Sequence, residues 1–414
     1  MTRVVGMVVV GSGECGTRAA FELREQGWTG SITLVGAEDE SPYERPQLSK
    51  SVLNSAGPFS PTHICSAEQL ESAGIDFIRG VAVHSVDPNR HQVMLADRRR
   101  IGYERLLLAT GAMARRISQP QLGGVHYLRS HQDAKALRSY LHPAAHICII
   151  GGGFIGMEVA ASARARGCAV TVVEIGPRPM IRLVPAAIAQ LVAARHEKEG
   201  VDLCCQTSIV SSYAVDRRTA VCLSNGETLM CDVVLAGIGA TPNTALARQA
   251  GLTVDNGIRV DSLLRTSEPD IFAAGDCCSF PHPLYDRRIR LECWHNAQDQ
   301  GRTVAQNMLD QDRPFAAVPR FWSDQYDLTV RIAGLPVPAA SEIVRRRADG
   351  VDIHFEMAAS GRLLAASAVG VGNAAARDMR LAELLIAERV ELQPAELADA
   401  RLSLKSLLGS SVLG

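Results

Sequence analysis

Twice in this chain a short apolar strand runs into a G-x-G-x-x-G turn that opens a helix, at GMVVVGSGECG (residues 6–16) and HICIIGGGFIG (residues 146–156). Such a turn needs a tight reversal at its first glycine, close approach of backbone to a pyrophosphate at its second, and close helix–strand packing at its third. The helix N-terminus behind it supplies amide donors and a positive dipole. A second strand follows each helix and ends near an acid, Glu38 or Glu174, about 20 residues on, suited to accept hydrogen bonds from ribose hydroxyls. Gly11, Gly13 and Gly16 with Glu38, and Gly151, Gly153, Ile155 and Gly156 with Glu174, are each expected to hold one dinucleotide. Glu14 is awkward beside a diphosphate and is expected to face solvent. Cys15 is expected to pack near the ligand rather than react with it.

The repeat organises the rest of the chain. After each unit come short alternating segments with turn residues, ending in a buried strand and a glycine, at ATG (109–111) and GIG (237–239). They read as antiparallel meanders inserted between the strands of two similar domains. The stretch SEPDIFAAGDCCSF and a helix from about Asn296 are too short for a domain of their own and are expected to complete the first domain's sheet. From about Phe321, VRIAGL, VDIHFEM and RLLAASAVG read as antiparallel strands, followed by a helical ARDMRLAELLIAER. The expected fold class is α/β, two Rossmann-like nucleotide-binding domains with meander insertions, glutathione-reductase-like, plus a small α+β C-terminal domain. The expected boundaries are 1–114 with 240–320 for the first domain, 115–239 for the second and 321–414 for the third.

Composition narrows the class. Hydrophobic residues make up 47% of the 414 and charged residues 21%, with net charge −1, which argues against disorder and against bulk attraction to nucleic acid or an anionic membrane. The longest apolar runs fall well short of the ~18 residues that span a bilayer, and MTRVVGMVVVGSG carries no secretory pattern, so a cytoplasmic protein is expected. The 11 cysteines show no C-x-x-C or C-x4-C spacing, so no metal site or redox pair has its local signature. Two nucleotide folds in one chain suggest a flavin in one and a nicotinamide nucleotide in the other. Glu174 favours NADH over NADPH, because a carboxylate binds a 2′-hydroxyl and repels a 2′-phosphate. Arg178 and Arg182 nearby either contact phosphate or form a solvated basic face.

The stretches GSGECG, SPYERPQLSK, ATGA, GGGFIGMEVA, GIGATPN, AAGDC, LECWHNAQDQG and FWSDQYDL, in this order, resemble the NADH-dependent, FAD-containing ferredoxin reductases of bacterial oxygenase systems. That family includes the reductases of putidaredoxin, rhodocoxin and the aromatic-ring dioxygenases. The resemblance implies FAD in the first domain and NADH in the second. For FAD it implies contacts from Gly11, Gly13, Cys15, Gly16, Glu38, Arg45, Lys50, Val83, Thr110, Gly111, Arg129, Asp276 and Trp294. Lys50 is implied to pair with Glu158 beside the flavin as the catalytic pair, and Gly239 to lie near the nicotinamide nucleotide. Three positions depart from the common pattern: Gln47 replaces a proline, Arg320 precedes FWSDQ, and His295 follows Trp294.

The implied activity is electron transfer from NADH through FAD to a [2Fe–2S] ferredoxin that feeds a cytochrome P450 or Rieske-type oxygenase, by a monomer or homodimer. Arg287, Arg288 and Arg290 either steer an acidic ferredoxin or form an ordinary solvated loop. Competing readings are a rubredoxin reductase, a flavin NADH oxidase, or a redox-sensing interaction protein similar to apoptosis-inducing factor. Disulfide reductases of similar fold carry a redox cysteine pair after the first βαβ unit. Residues 39–64 here hold no cysteine, and the expected exit for electrons is directly from the flavin.

Overall fold

The computed structural model describes residues 6–55, 57, 59–117, 124–337 and 340–409. These divide into two compact units, one of Met1–Arg45, Pro61–Met113 and Ala240–Ala317, the other of Pro46–Ser60, Ala114–Gly239 and Val318–Gly414.

In the first unit all five residues of the Gly6–Val10 strand are buried, as a strand covered on both faces requires. It pairs in parallel with Ile32–Val35 on one side and with the end of Arg100–Leu108 on the other. Ile75–Ile78 extends one edge and Ile271–Ala273 pairs with Leu106–Leu108, so the late segment does complete this sheet. The Arg100–Leu108 strand has two roles. Its start pairs antiparallel with Gln92–Leu95, which pairs with Val83–Asp87, forming the first meander. Helix Glu14–Glu25 makes the crossover and packs against helix Trp294–Asn307, two residues longer at its start than the sequence reading placed it. Their close approach requires glycine at 301, where a Cβ would lie 2.7 Å from the carbonyl oxygen of Cys15.

The second unit repeats the plan. Strands Val201–Cys204, Ala169–Val173, His146–Ile150, Val233–Ala236 and Val125–His126 form, in that order, a parallel sheet. A three-stranded meander, Ile209–Val215, Arg218–Leu223 and Thr228–Cys231, packs on it through Cys148, Val173, Val221, Leu223, Cys231 and Val234. The same unit holds a five-stranded antiparallel sheet in the order Arg320–Gln325, Leu328–Gly334, Leu363–Val371, Asp352–Met357 and Ser341–Arg346. Helix Ala376–Ala387 packs against it. The FWSDQ stretch, which the sequence pattern does not mark as a strand, forms one edge of this sheet and Ser341–Arg346 the other.

Candidate functional site

In the first unit Gly11 adopts φ +114°, and a Cβ there would meet the Ala109 carbonyl at less than 3.0 Å. Gly16 would collide with the Gly11 carbonyl in the same way, whereas a Cβ on Gly13 would face open space. Helix Glu14–Glu25 starts at Gly13 with no side-chain cap, so its first amides are left to whatever fills that space. This is the shape of a cradle for a diphosphate. Glu38 accepts from the Tyr43 hydroxyl and from Arg45 Nη2, both at 2.6 Å, and Arg45 Nη1 donates to Tyr43 at 2.9 Å. The acid and the arginine of YERP therefore stand together at the end of the second strand.

Glu14 corrects the sequence reading. It is half-buried, accepts a hydrogen bond from Gln298 Nε2 at 3.2 Å, and burial raises its carboxyl pKa. Gln298 lies on the helix that packs against helix Glu14–Glu25, which places its amide over the start of that helix. Cys15 is buried beside Gly275, near Cys277 and Cys278, and burial pushes all three thiols up, well above the usual range for Cys15 and Cys278. Protonated thiols are poor nucleophiles, so the three are packing groups.

Thr110 and Gly111 are clamped onto Asn243. The threonine hydroxyl donates to the Asn243 carbonyl at 2.7 Å, Asn243 Nδ2 donates to the Thr110 carbonyl at 2.8 Å, and the Asn243 amide to Gly111 at 2.9 Å. Val83 opens its strand half-buried, and Asp276 sits in the tight turn Gly275–Cys277. Gln300 Oε1 accepts from the Gly275 amide at 2.7 Å. The buried polar atoms of this unit that have no partner among the described residues include Gln300 Nε2, Asn296 Nδ2 and Asn243 Oδ1. Trp294, Asn296 and Gln300 share one helix, the last two one turn apart. Buried donors without partners cost about 1–3 kcal/mol each, and a polar ligand with acceptor groups relieves that cost. The sequence reading missed Asn243, Asn296 and Gln300; the i,i+4 pair of amides in NAQDQ was the available signal.

In the second unit Gly151 has φ +100° and a Cβ there would lie 2.6 Å from the Gly237 carbonyl, while Gly153 again faces open space at an uncapped helix start. Ile155 is exposed on that first turn. Glu174 reaches back to the loop, accepting from the Gly152 and Gly176 amides at 2.7 Å each. Arg178 donates to the Val184 carbonyl at 3.0 Å and Arg182 is exposed. Gly239 has φ +102°, and its carbonyl accepts from Arg115 at 2.9 Å.

Lys50 and Glu158 also belong to this unit, and they meet. Nζ lies 2.9 Å from Glu158 Oε1, with the glutamate side chain 3% exposed and the lysine 14%. Glu158 further accepts from Ser49 Oγ at 2.5 Å and Ser323 Oγ at 2.7 Å. Three donors from three separate residues converge on this buried carboxylate, far from a surface ion pair worth little. Neither serine was singled out from the sequence. Arg129 lies in the same unit, its amide donating at 3.0 Å to Asp133, which caps helix His131–Tyr140. Of the three candidate docking arginines, Arg287 is exposed. Arg288 donates to the Val260 and Ser279 carbonyls, and Arg290 pairs with Glu292 at 2.6 Å.

All eleven cysteines are free thiols, and among the described residues no helix is long and apolar enough to cross a membrane. Residues 6–301 match the family described as pyridine nucleotide-disulphide oxidoreductase, and residues 320–408 match the reductase C-terminal domain. The chain is 37% identical over 404 residues to the ferredoxin–NAD(+) reductase component of the anthranilate 1,2-dioxygenase system of Burkholderia cepacia, covering 97% of this chain and 98% of that one. It is 39% identical over 333 residues to a rubredoxin–NAD(+) reductase of Pseudomonas putida, covering 80% and 86%. Among solved structures it is similar to the reductase of a covalent putidaredoxin reductase–putidaredoxin complex, with TM-score 0.92, 32% identity and 99% of each chain covered.

Proposed function

The chain belongs to the pyridine nucleotide-disulphide oxidoreductase family, and from that premise we propose that it is an FAD-dependent NADH:ferredoxin reductase supplying electrons to an oxygenase. One observation carries the reading. A family named for disulphide chemistry is represented here by a chain with eleven free thiols and none in residues 39–64, where Arg45 and Lys50 stand instead. With no thiol relay, electrons leave for an external acceptor. The similarity to a dioxygenase ferredoxin–NAD(+) reductase supports a [2Fe–2S] ferredoxin as that acceptor.

When bound, FAD accepts an electron pair from NADH and releases it in single-electron steps. The chain's own residues do the rest. We assign 1–114 with 240–320 to FAD, 115–239 to NADH and 321–414 to the C-terminal domain. The Gly11, Gly13, Cys15 and Gly16 backbone suits the pyrophosphate of FAD, and Glu38 with Arg45 its ribose. Val83, Thr110, Gly111, Arg129, Asp276 and Trp294 are assigned to the same cofactor, and the unpartnered amides of Asn296 and Gln300 fit its acceptor groups. Lys50 offers a cation to the reduced flavin, and Glu158 restrains it and limits the net charge. Gly151, Gly153, Ile155, Gly156 and Gly239 are assigned to NADH.

Glu174 already accepts two backbone amides, so its carboxylate is held at the loop where a ribose would lie. Replacing it with glutamine is expected to raise the KM for NADH about tenfold, the scale of a lost charged hydrogen bond, and to narrow the preference over NADPH. Steady-state kinetics with both nucleotides checks this. For docking, exposure favours Arg287 over its two engaged neighbours. Arg287→Ala is expected to lower kcat/KM for ferredoxin about two- to fivefold at low salt, with the difference vanishing at high salt. An unchanged salt dependence would remove Arg287 from the docking surface.

The similarity to a rubredoxin reductase favours a second acceptor. Turnover with a [2Fe–2S] ferredoxin, a rubredoxin and dioxygen, measured side by side, decides between them; the proposal expects the ferredoxin to be fastest.

A further inference from the structure

The Arg320–Gln325 strand places alternate residues on opposite faces. Trp322 and Asp324 are half-buried and bonded to each other, indole Nε1 to carboxylate at 3.1 Å, with Thr329 Oγ1 holding the aspartate at 2.8 Å. Ser323 and Gln325 are buried on the other face. Ser323 donates to Glu158 at 2.7 Å, so its oxygen is left to accept, and Gln325 Nε2 donates to it at 2.9 Å. The carbonyl end of the Gln325 amide then faces His196 Nε2 at 2.8 Å. An amide oxygen has no proton to give, so His196 carries its proton on Nε2, and Nδ1 is left to accept from the Tyr326 hydroxyl at 3.4 Å.

Every proton in this series points the same way, from Tyr326 to His196 to Gln325 to Ser323 and onto Glu158. Bonds aligned in this sense polarise one another. The series is not a proton wire, because passing a proton through Gln325 would break its amide resonance. His196 is fully buried on helix Ala186–Lys198, and burial pushes its pKa down to about 4. The groups around it are Arg195 of its own helix and Glu199 just past that helix's end, which pair with each other, and Gln325 and Tyr326 of the hairpin, with Asp327 bound to Arg195. The ring is therefore neutral at ordinary pH, as one donor and one acceptor require.

We propose that Ser323, Gln325 and His196 are positioning residues that lock the Glu158 carboxylate toward Lys50, so that the C-terminal sheet sets the geometry of the pair used in electron transfer. The proposal rests on the reductase reading for its kinetic consequence but not for its hydrogen-bond sense. Two measurements on the FAD-loaded protein test it. In 15N NMR, with His196 assigned by difference from His196→Gln, the ring is expected as the Nε2–H tautomer, unchanged down to pH about 5. In rapid mixing with NADH, Ser323→Ala and Gln325→Met are expected to slow flavin reduction about tenfold at saturating NADH, with KM unchanged and with Ser323→Thr restoring the rate. An Nδ1–H tautomer, or wild-type rates in both variants, would overturn the proposal. A wild-type protein that takes no electrons from NADH would instead refute the reductase reading, and the tautomer would then decide the series alone.

Discussion

Replacing Glu158 with alanine is expected to cost more than any other single side-chain change at the site. The carboxylate is 3% exposed and takes three donors, from Lys50, Ser49 and Ser323. Its removal leaves a largely buried ammonium group and the Ser49 hydroxyl with only long contacts to the Pro46 carbonyl, at 3.3 and 3.4 Å, and takes the Ser323 hydroxyl's acceptor away. Breaking a buried pair from one side costs ~3–5 kcal/mol, so a fall in the thermal midpoint of several degrees is expected. Flavin reduction by NADH is expected to slow by well over about tenfold, because Lys50 loses the group that fixes it. Glu158→Gln keeps the shape and an acceptor for one serine, and is expected to fall between wild type and alanine in both readouts. Equal loss of stability in the two variants with no change in rate would leave Glu158 a structural residue only.

The second large effect separates the two glycine loops. A Cβ at Gly16 or Gly156 would press on the carbonyl of the loop's own first glycine at less than 3.0 Å, a backbone atom that cannot swing aside. Gly16→Ala is expected to yield protein that folds but purifies with little FAD, its affinity at least about a hundredfold weaker. Gly156→Ala is expected to keep FAD and show a KM for NADH raised by a similar factor. Flavin content by absorbance and NADH kinetics read the two outcomes. If Gly156→Ala were the variant that lost FAD, the two loops would have been assigned the wrong way round.

These two sites also show what was legible in the chain beforehand. The glycine loops were readable because their constraint is local: the turn, the helix start and the missing side chains lie within six residues. The same locality made the parallel strands readable as short apolar runs bounded by glycine. The Lys50–Glu158 pair came from resemblance alone, since nothing in the spacing brings residues 108 positions apart together, yet the structure places them 2.9 Å apart. The partners that complete each site were missed for a shared reason. Ser323, Gln325, Asn243 and Gln300 are ordinary polar residues whose meaning depends on what the fold buries beside them. Glu14 was misplaced by the same logic, because its exposure is decided by Gln298, which meets it across 284 positions of sequence.

The central claim is that electrons reach an external acceptor without a thiol relay, and anaerobic titration with NADH tests it most directly. The FAD-loaded protein is expected to be fully reduced by one equivalent of NADH per flavin, and then to reduce two equivalents of a [2Fe–2S] ferredoxin, as a flavin with no second redox group must. An endpoint at two equivalents of NADH, or a reduced flavin that leaves the ferredoxin oxidised, would contradict it.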